Sequence, residues 1–231
     1  MRQKVVNEFG AHLVDKVRVV PHGNFIPSIE SASEGSGSNH EQPKKSRQLA
    51  VVGFMRPNKG IHKVIEAFAA IDDSDCKLLI VGMCLQKEYR DQLEAAIRKV
   101  SRVELHIKQL SEAELIEIHR ESLAMVYGFD RCDTSGSIVT AMSLGSAIVA
   151  PRLGHVCDLL DESSAELYDP DEGVKGLKEA LERVICSSNE RLEEMRKRAL
   201  ERIREDDWDK VGRMLRDVYV DALSMRNAEE P

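Results

Sequence analysis

Gln48-Leu-Ala-Val-Val-Gly-Phe-Met-Arg-Pro-Asn-Lys-Gly-Ile-His-Lys-Val-Ile-Glu-Ala-Phe68 changes its hydrophobic rhythm once, and that change decides the fold. Gln48 to Gly53 is a short apolar run, the mark of a strand buried on both faces. Beyond it the apolar residues fall at Ile61, Val64, Ile65 and Phe68, the spacing of one helix face, so an amphipathic helix is expected over 59–71. Working outward, Cys76 to Val81 reads as a strand, 88–100 as a helix, 102–107 as a strand and 112–120 as a helix. Strands over 123–127 and 146–150 flank a helix over 136–144, and Glu166 to Tyr168 is a short last strand. Helices over 173–185, 190–204 and 208–222 follow. Apolar strands alternating with amphipathic helices make parallel βαβ units. The expected class is α/β, a doubly wound parallel sheet of Rossmann-like type, in which ligands bind at the carboxyl ends of the strands.

The chain upstream is less regular. A weak helical stretch over 3–14 leads to Lys16-Val-Arg-Val-Val-Pro21, read as a strand ended by Pro21-His22-Gly23. Ile29 to Ser46 is rich in Ser, Gly, Glu and Lys and offers little to offset the entropy of ordering, so a flexible loop is expected. The organisation is then a leading segment over 1–15, a linker strand over 16–28, the flexible loop over 29–46, the Rossmann-like domain over 47–186 and C-terminal helices over 187–231.

Composition narrows the function. Aromatic residues make up only 4% of the 231, so the core must be aliphatic. A net charge of -7 without a basic face argues against nucleic-acid binding, which needs clustered cations. The five cysteines are odd in number and form no CxxC pair, which fits reduced, mostly buried thiols rather than a disulfide framework or zinc site. Met1-Arg2-Gln3-Lys4 opens onto no apolar signal core, and no apolar run is long enough to span a bilayer. A cytoplasmic location is expected, with peripheral membrane association left open.

Three loops at expected strand ends can carry chemistry. Gly53-Phe-Met-Arg-Pro-Asn-Lys-Gly60 sets Arg56 and Lys59 beside a positive helix end, a diphosphate trap, with Gly53 allowing close backbone approach. It is not a Walker A loop, and a turn with merely solvated charges is the plain alternative. Thr134-Ser-Gly-Ser-Ile138 opens a helix. Thr134 or Ser135 can cap it, and Gly136 leaves N–H groups open to an anion. Pro151-Arg-Leu-Gly154, with His155 and Asp158, is the third. Asp73-Ser-Asp75 and Asp169-Pro-Asp171 match a metal-binding DxD pattern, but the first precedes a strand and the second reads as a helix cap, so no metal site is assigned.

In order, these loops resemble the C-terminal half of the GT-B glycosyltransferases of the large retaining group 1 family. The matching text runs from Val19-Val-Pro-His-Gly23 through the Val51–Ile61 stretch, Leu78-Leu-Ile-Val-Gly82 and Leu110-Ser-Glu-Ala-Glu-Leu115. It is densest at Asp133-Thr-Ser-Gly-Ser-Ile-Val-Thr-Ala-Met-Ser-Leu-Gly145, and Glu166-Leu-Tyr-Asp-Pro170 closes it. The resemblance implies a single domain that binds a nucleoside-diphosphate sugar and a hexosyltransferase active in polysaccharide biosynthesis, with retention of configuration. It implies that Arg56 and Lys59 grip the diphosphate in catalysis and that Gly53, Asp133, Ser135, Gly136, Ser137, Ile138 and Thr140 serve the donor. The donor sugar is the co-substrate, and no cofactor is implied.

Two departures accompany the resemblance. Many members carry a pair of glutamates here, the second just before Ala-Met and expected on the ribose hydroxyls. This chain has Thr140 there, with Cys132 and Asp133 near the other position. The family's acceptor-binding N-terminal domain is represented at most by residues 1–15, so an acceptor-binding domain or subunit in trans is an expected partner. The helix over 208–222 resembles the one that packs on that domain, and Val211, Leu215 and Val218 would face it. The alternatives are a non-catalytic nucleotide-sugar-binding or scaffold subunit needing a separate acceptor partner, and a flavodoxin-like signalling domain. A receiver of the latter kind needs an Asp after its third strand, and Val81-Gly82-Met83 has none.

Overall fold

The structure is a computed structural model that describes residues 2–26 and 47–229, with side chains over 5–26 and 47–225. The stretch 29–46 lies outside the described residues. Six strands, β1 (Gln48–Val52), β2 (Lys77–Gly82), β3 (Val103–Ile107), β4 (Ala124–Val126), β5 (Ile148–Pro151) and β6 (Glu166–Tyr168), form one sheet. They run parallel in the order β3-β2-β1-β4-β5-β6. The order reverses beside β1: the chain builds outward through β2 and β3, then returns to lay β4 on the other flank. Ala50 therefore stands between Leu79 of β2 and Met125 of β4.

The period of two along each strand divides the core between the sheet's faces. Leu49, Leu78, Ile80, Val126 and Val149 point to one face, and Ala50, Met125, Ile148 and Ala150 to the other. The chain continues with helices α1 (Arg2–Phe9), α2 (Ile61–Ala69), α3 (Lys87–Ile97), α4 (Glu112–Glu121), α5 (Gly136–Ser143), α6 (Gly154–Leu159), α7 (Gly173–Ile185), α8 (Asn189–Arg204) and α9 (Trp208–Glu229). The first face is covered by α2, α3 and α7, through residues such as Val64, Phe68, Leu93 and Leu181. The second is covered by α5 and α6, through Ile138, Met142 and Val156. α8 serves both, Leu192 and Met195 joining the first cluster and Ala199 and Ile203 the second. The segment after residue 186 is thus partly built into the same body as the sheet.

Several local expectations are corrected. Residues 16–21 form no strand. Their alternating valines satisfy the pattern, but a strand also needs a neighbour with free ladder groups, and this segment instead leads into bonds with helix ends. The Asn24 N–H donates to Asp206 O at 2.9 Å, the Asn24 amide to Ile203 O at 3.2 Å, and the Phe25 N–H to Ser143 Oγ at 3.1 Å. The first helix stops at Phe9 because Gly10 turns to φ 116, and a 3-10 turn, Ala11–Leu13, follows. α9 runs past residue 222 to Glu229. On it Val211 is buried, whereas Leu215, Tyr219, Val220 and Leu223 are exposed. Of the five free cysteines only Cys76 and Cys132 are buried, and Cys157 and Cys186 are exposed.

Two glycines fix the start of α2 against the chain beyond β4. Gly60 has φ 61, and a Cβ on it would lie 1.7 Å from the Gly128 carbonyl oxygen. A Cβ on Gly128 would lie 2.6 Å from Gly60 O. Gly145 has the same φ of 61 but open space around its Cβ position. Gly145→Ala should therefore cost only the left-handed backbone penalty, about 1–2 kcal/mol. Gly60→Ala adds displacement of packed backbone and should cost roughly 2–4 kcal/mol, lowering Tm by roughly 5–15 °C. Calorimetric melting of the two variants tests this. Equal Tm losses would show that the Gly60–Gly128 contact does not constrain the fold.

Candidate functional site

The loop after β1 is held on both sides by backbone. The Gly53 N–H donates to Val81 O at 3.1 Å, and the Met55 N–H to Met83 O at 2.8 Å. Met55 is thereby drawn into the core while its neighbours Phe54 and Arg56 stand exposed. The Arg56 guanidinium lies 5.7 Å from the centre of the Phe54 ring. Pro57–Lys59 form a 3-10 turn, Gly60 reverses the chain, and α2 begins only at Ile61. The two cations thus sit on a separate rigid turn rather than on the first turn of the helix.

Lys59 reaches across to the far side of the sheet order, its Nζ 4.5 Å from the centre of the Phe129 ring beyond β4. The same side is tied down by the Asp130 N–H donating to Asn58 O at 3.1 Å and by the Lys63–Asp130 ion pair. Burial, reinforced by the like charge of Arg56, holds the Lys59 ammonium below its ordinary pKa. Among the described residues neither Arg56 nor Lys59 pairs with a carboxylate. Their neighbours Lys63 and Arg131 do, with Asp130 and Asp133. Aromatic faces support both site cations without neutralising them.

The second loop brings its groups from β4 and α5. The Tyr127 hydroxyl donates to Ser137 O at 2.8 Å, and burial raises this phenol well above its usual range. Ser135 Oγ accepts the Ile138 N–H at 3.2 Å and lies 3.0 Å from Ser137 Oγ, capping α5. The N–H groups of Gly136 and Ser137 have no partner among the described residues, and the space beside Gly136 is open. Thr140 Oγ1 donates to Gly136 O at 2.9 Å.

A cleft of about 530 Å³ opens between the carboxyl ends of β1 and β4, at the point where the strand order reverses. It is lined by Gly53, Arg56 and Lys59 from the first loop and by Ser137 and Thr140 from α5. These are the expected site residues that the fold brings together. Ser135 and Gly136 adjoin the cleft at the start of α5. The Ile138 side chain is fully buried in the core, and its N–H is taken by the cap. Asp133 is held 2.5 Å from Arg131 Nε. Leu115 and His119 of α4, with Tyr127 and Phe129, complete the wall and were missed by sequence reasoning. The available signal for the aromatic pair was their place just past a strand's carboxyl end in a chain poor in aromatics.

The third loop lies elsewhere. His155 donates its N–H to Cys132 O at 3.2 Å, and burial holds its imidazole below the ordinary pKa. Asp73 pairs with Arg47 and accepts the N–H groups of Asp75 and Cys76 at 3.0 and 3.2 Å, ahead of β2. Asp169 accepts the Asp171 N–H at 2.9 Å. Both acidic pairs cap turns, and no cluster of three metal-ligating side chains occurs among the described residues.

A doubly wound parallel sheet with a cationic cleft at its switch point defines a Rossmann-like protein, matching GT-B glycosyltransferase structures. The chain belongs to the family of glycosyl transferases group 1, whose model matches residues 36–202. It is 22% identical over 179 residues to a GDP-mannose:glycolipid 4-beta-D-mannosyltransferase of Xanthomonas campestris pv. campestris, covering 76% of this chain and 49% of that protein. The chain thus spans about half the length of the curated relatives it matches. Anabaena Alr3699/HepE in complex with UDP and glucose superposes with a TM-score of 0.76 at 16% identity, over 95% of this chain and 60% of that one. An alpha,alpha-trehalose-phosphate synthase (UDP-forming) from Burkholderia xenovorans superposes with a TM-score of 0.73 at 15% identity, over 87% and 51%. Among the described residues no helix is long and apolar enough to cross a membrane.

The lowered Lys59 pKa has a measurable sign. Its charge is present below that pKa and is lost as pH rises through it, earlier than for an ordinary lysine near 10.5. Pyrophosphate affinity of the wild type, divided by that of Lys59→Arg, should therefore fall as pH rises toward 10.5, ahead of the loss expected for an ordinary lysine. The ratio removes the ligand's own titration. A flat ratio in calorimetric titrations would place Lys59 away from the bound anion.

Proposed function

We propose that this chain is the donor-binding part of a hexosyltransferase that takes a sugar from a nucleoside-diphosphate sugar with retention of configuration. The observation that carries this reading is the pair of cations, Arg56 and Lys59, unpaired with any carboxylate among the described residues and lining one cleft with the start of α5. The chemistry needs such a pair. As the bond between the anomeric carbon and the diphosphate breaks, negative charge accumulates on the leaving phosphate. Fixed donors aimed at developing charge act more strongly there than mobile water, each typically contributing about 3–4 kcal/mol. Arg56, Lys59 and the free N–H groups opening α5 supply such donors, and Gly53 lets the phosphates approach the backbone. The similarity of the loops, in order, to the retaining group supports retention.

The acceptor is assigned to a second half. The match covers only 49% of the curated relative, and α9 exposes Leu215, Tyr219, Val220 and Leu223, an apolar face suited to packing against an acceptor-binding domain in the same or another chain. Donor binding alone does not place an acceptor hydroxyl beside the anomeric carbon, and that placement contributes a large part of the rate.

Two outcomes follow. Thermal shift with a panel of nucleoside diphosphates should show stabilisation of the wild type that disappears in Arg56→Ala/Lys59→Ala, whose unliganded Tm stays within about 2 °C of wild type. Equal stabilisation of both proteins would sink the assignment. The 231-residue chain alone should transfer negligible radiolabelled sugar to any acceptor, and adding an acceptor-binding half should raise transfer at least about a hundredfold. Robust transfer by the chain alone would overturn the two-part reading.

A further inference from the structure

Tyr127 and Phe129 belong to none of the three loops, yet both line the cleft together with Lys59 and Ser137. They follow β4 directly, and both rings join the core on the face that holds Ile138. The rings meet, with centroids 5.2 Å apart and planes tilted by 37°, within the attractive range for aromatic pairs. Each ring also reaches one of the two anion-binding elements. The Lys59 ammonium lies over the Phe129 ring, 4.5 Å from its centre. The Tyr127 hydroxyl donates to Ser137 O, in the first turn of α5, at 2.8 Å. An unbroken series of contacts thus runs from the lysine to the start of the helix.

The middle of the series is anchored. The Tyr127 N–H donates to Val149 O at 2.9 Å, and the Tyr168 hydroxyl donates to Tyr127 O at 3.3 Å. Gly128, between the two rings, is the residue pressed against Gly60. Both rings are buried, so close packing holds them in place. A lysine on its long stem is otherwise a mobile charge. A single phosphate can engage the lysine or the helix start alone. A diphosphate gains from engaging both when their relative position is already fixed, because the second contact then costs little further freedom. We propose that Phe129 and Tyr127 are positioning residues that fix Lys59 and the start of α5 relative to each other, and so set the preference of the cleft for a diphosphate over a single phosphate. This rests on the nucleotide-sugar reading above and adds two residues that act through their neighbours.

Calorimetric titration of the full chain with inorganic pyrophosphate and with orthophosphate measures that preference. Phe129→Leu keeps an apolar side chain but removes the ring face, and should cut the pyrophosphate-to-phosphate affinity ratio about three- to tenfold. Tyr127→Phe keeps the ring and removes the hydroxyl, and should cut the ratio about threefold. Because the contacts act in series, the double variant should lose less than the product of the two single losses. A second readout stands even where Phe129→Leu folds poorly. Introducing 3,4,5-trifluorophenylalanine at position 129 keeps the ring shape and weakens its negative face. That face favours the charged ammonium, so the Lys59 titration midpoint should fall by about half a pH unit. ¹⁵N-lysine spectra, with the signal assigned by Lys59→Arg, report it. Unchanged affinity ratios, equal losses for pyrophosphate and phosphate, single losses that simply multiply in the double variant, or an unmoved Lys59 midpoint would overturn the positioning assignment alone. Failure of the wild type to bind pyrophosphate would overturn the underlying reading as well.

Discussion

Two peptide backbones touch where Gly60 meets Gly128, with no room for a methyl group between them. The site depends on that contact. It brings the turn carrying Arg56 and Lys59 directly against the chain leaving β4, so that groups separated by most of the sheet's connectivity share one cleft. The reversal of strand order beside β1 creates the crevice, and the two glycines set its width. The bonds around the contact, Asp130 N–H to Asn58 O and Lys63 to Asp130, then lock the two loops in register.

The electrostatics follow from what supports the cations. A carboxylate partner would hold a lysine in place while cancelling its field. An aromatic face holds it with little cancellation, and Phe129 and Phe54 do this for Lys59 and Arg56. The cost is a half-desolvated ammonium, visible in the depressed Lys59 pKa. An arriving anion would relieve that penalty, so the cleft favours an anion over a neutral ligand. Acidic residues close by are turned elsewhere, Asp130 to Lys63 and Asp133 to Arg131.

Most of the fold was legible because its signals are local. Apolar runs at β1, β2 and β5 and the helical spacing of Ile61, Val64, Ile65 and Phe68 are properties of consecutive residues, and the elements lie close to where they were expected. The valines of 16–21 misled, since strand formation is decided by a partner and not by the segment. The first loop's cations were legible as residues, but their support was not: Phe129 lies seventy positions from Lys59 and meets it only through the β1–β4 pairing. His119 had no signal as a cleft residue, because a histidine on the inner face of a helix reads as core until its neighbour across the sheet is known. Ile138 shows the converse, a residue within a suggestive motif whose side chain serves packing.

α8 touches both faces of the sheet, with Leu192 and Met195 on one side and Ala199 and Ile203 on the other. On a ribosome this imposes an order of events. Every strand has emerged before α8 is made, so the nascent sheet waits with apolar surface uncovered on both sides. The two half-cores close together, when one late helix straps them, and Asn24, ahead of β1, then bonds to Ile203 and Asp206 at and just past the end of that helix. Assembly of this body is therefore completed by a clasp joining residues ahead of β1 to the end of α8, which favours a single cooperative closure over stepwise maturation of separate halves.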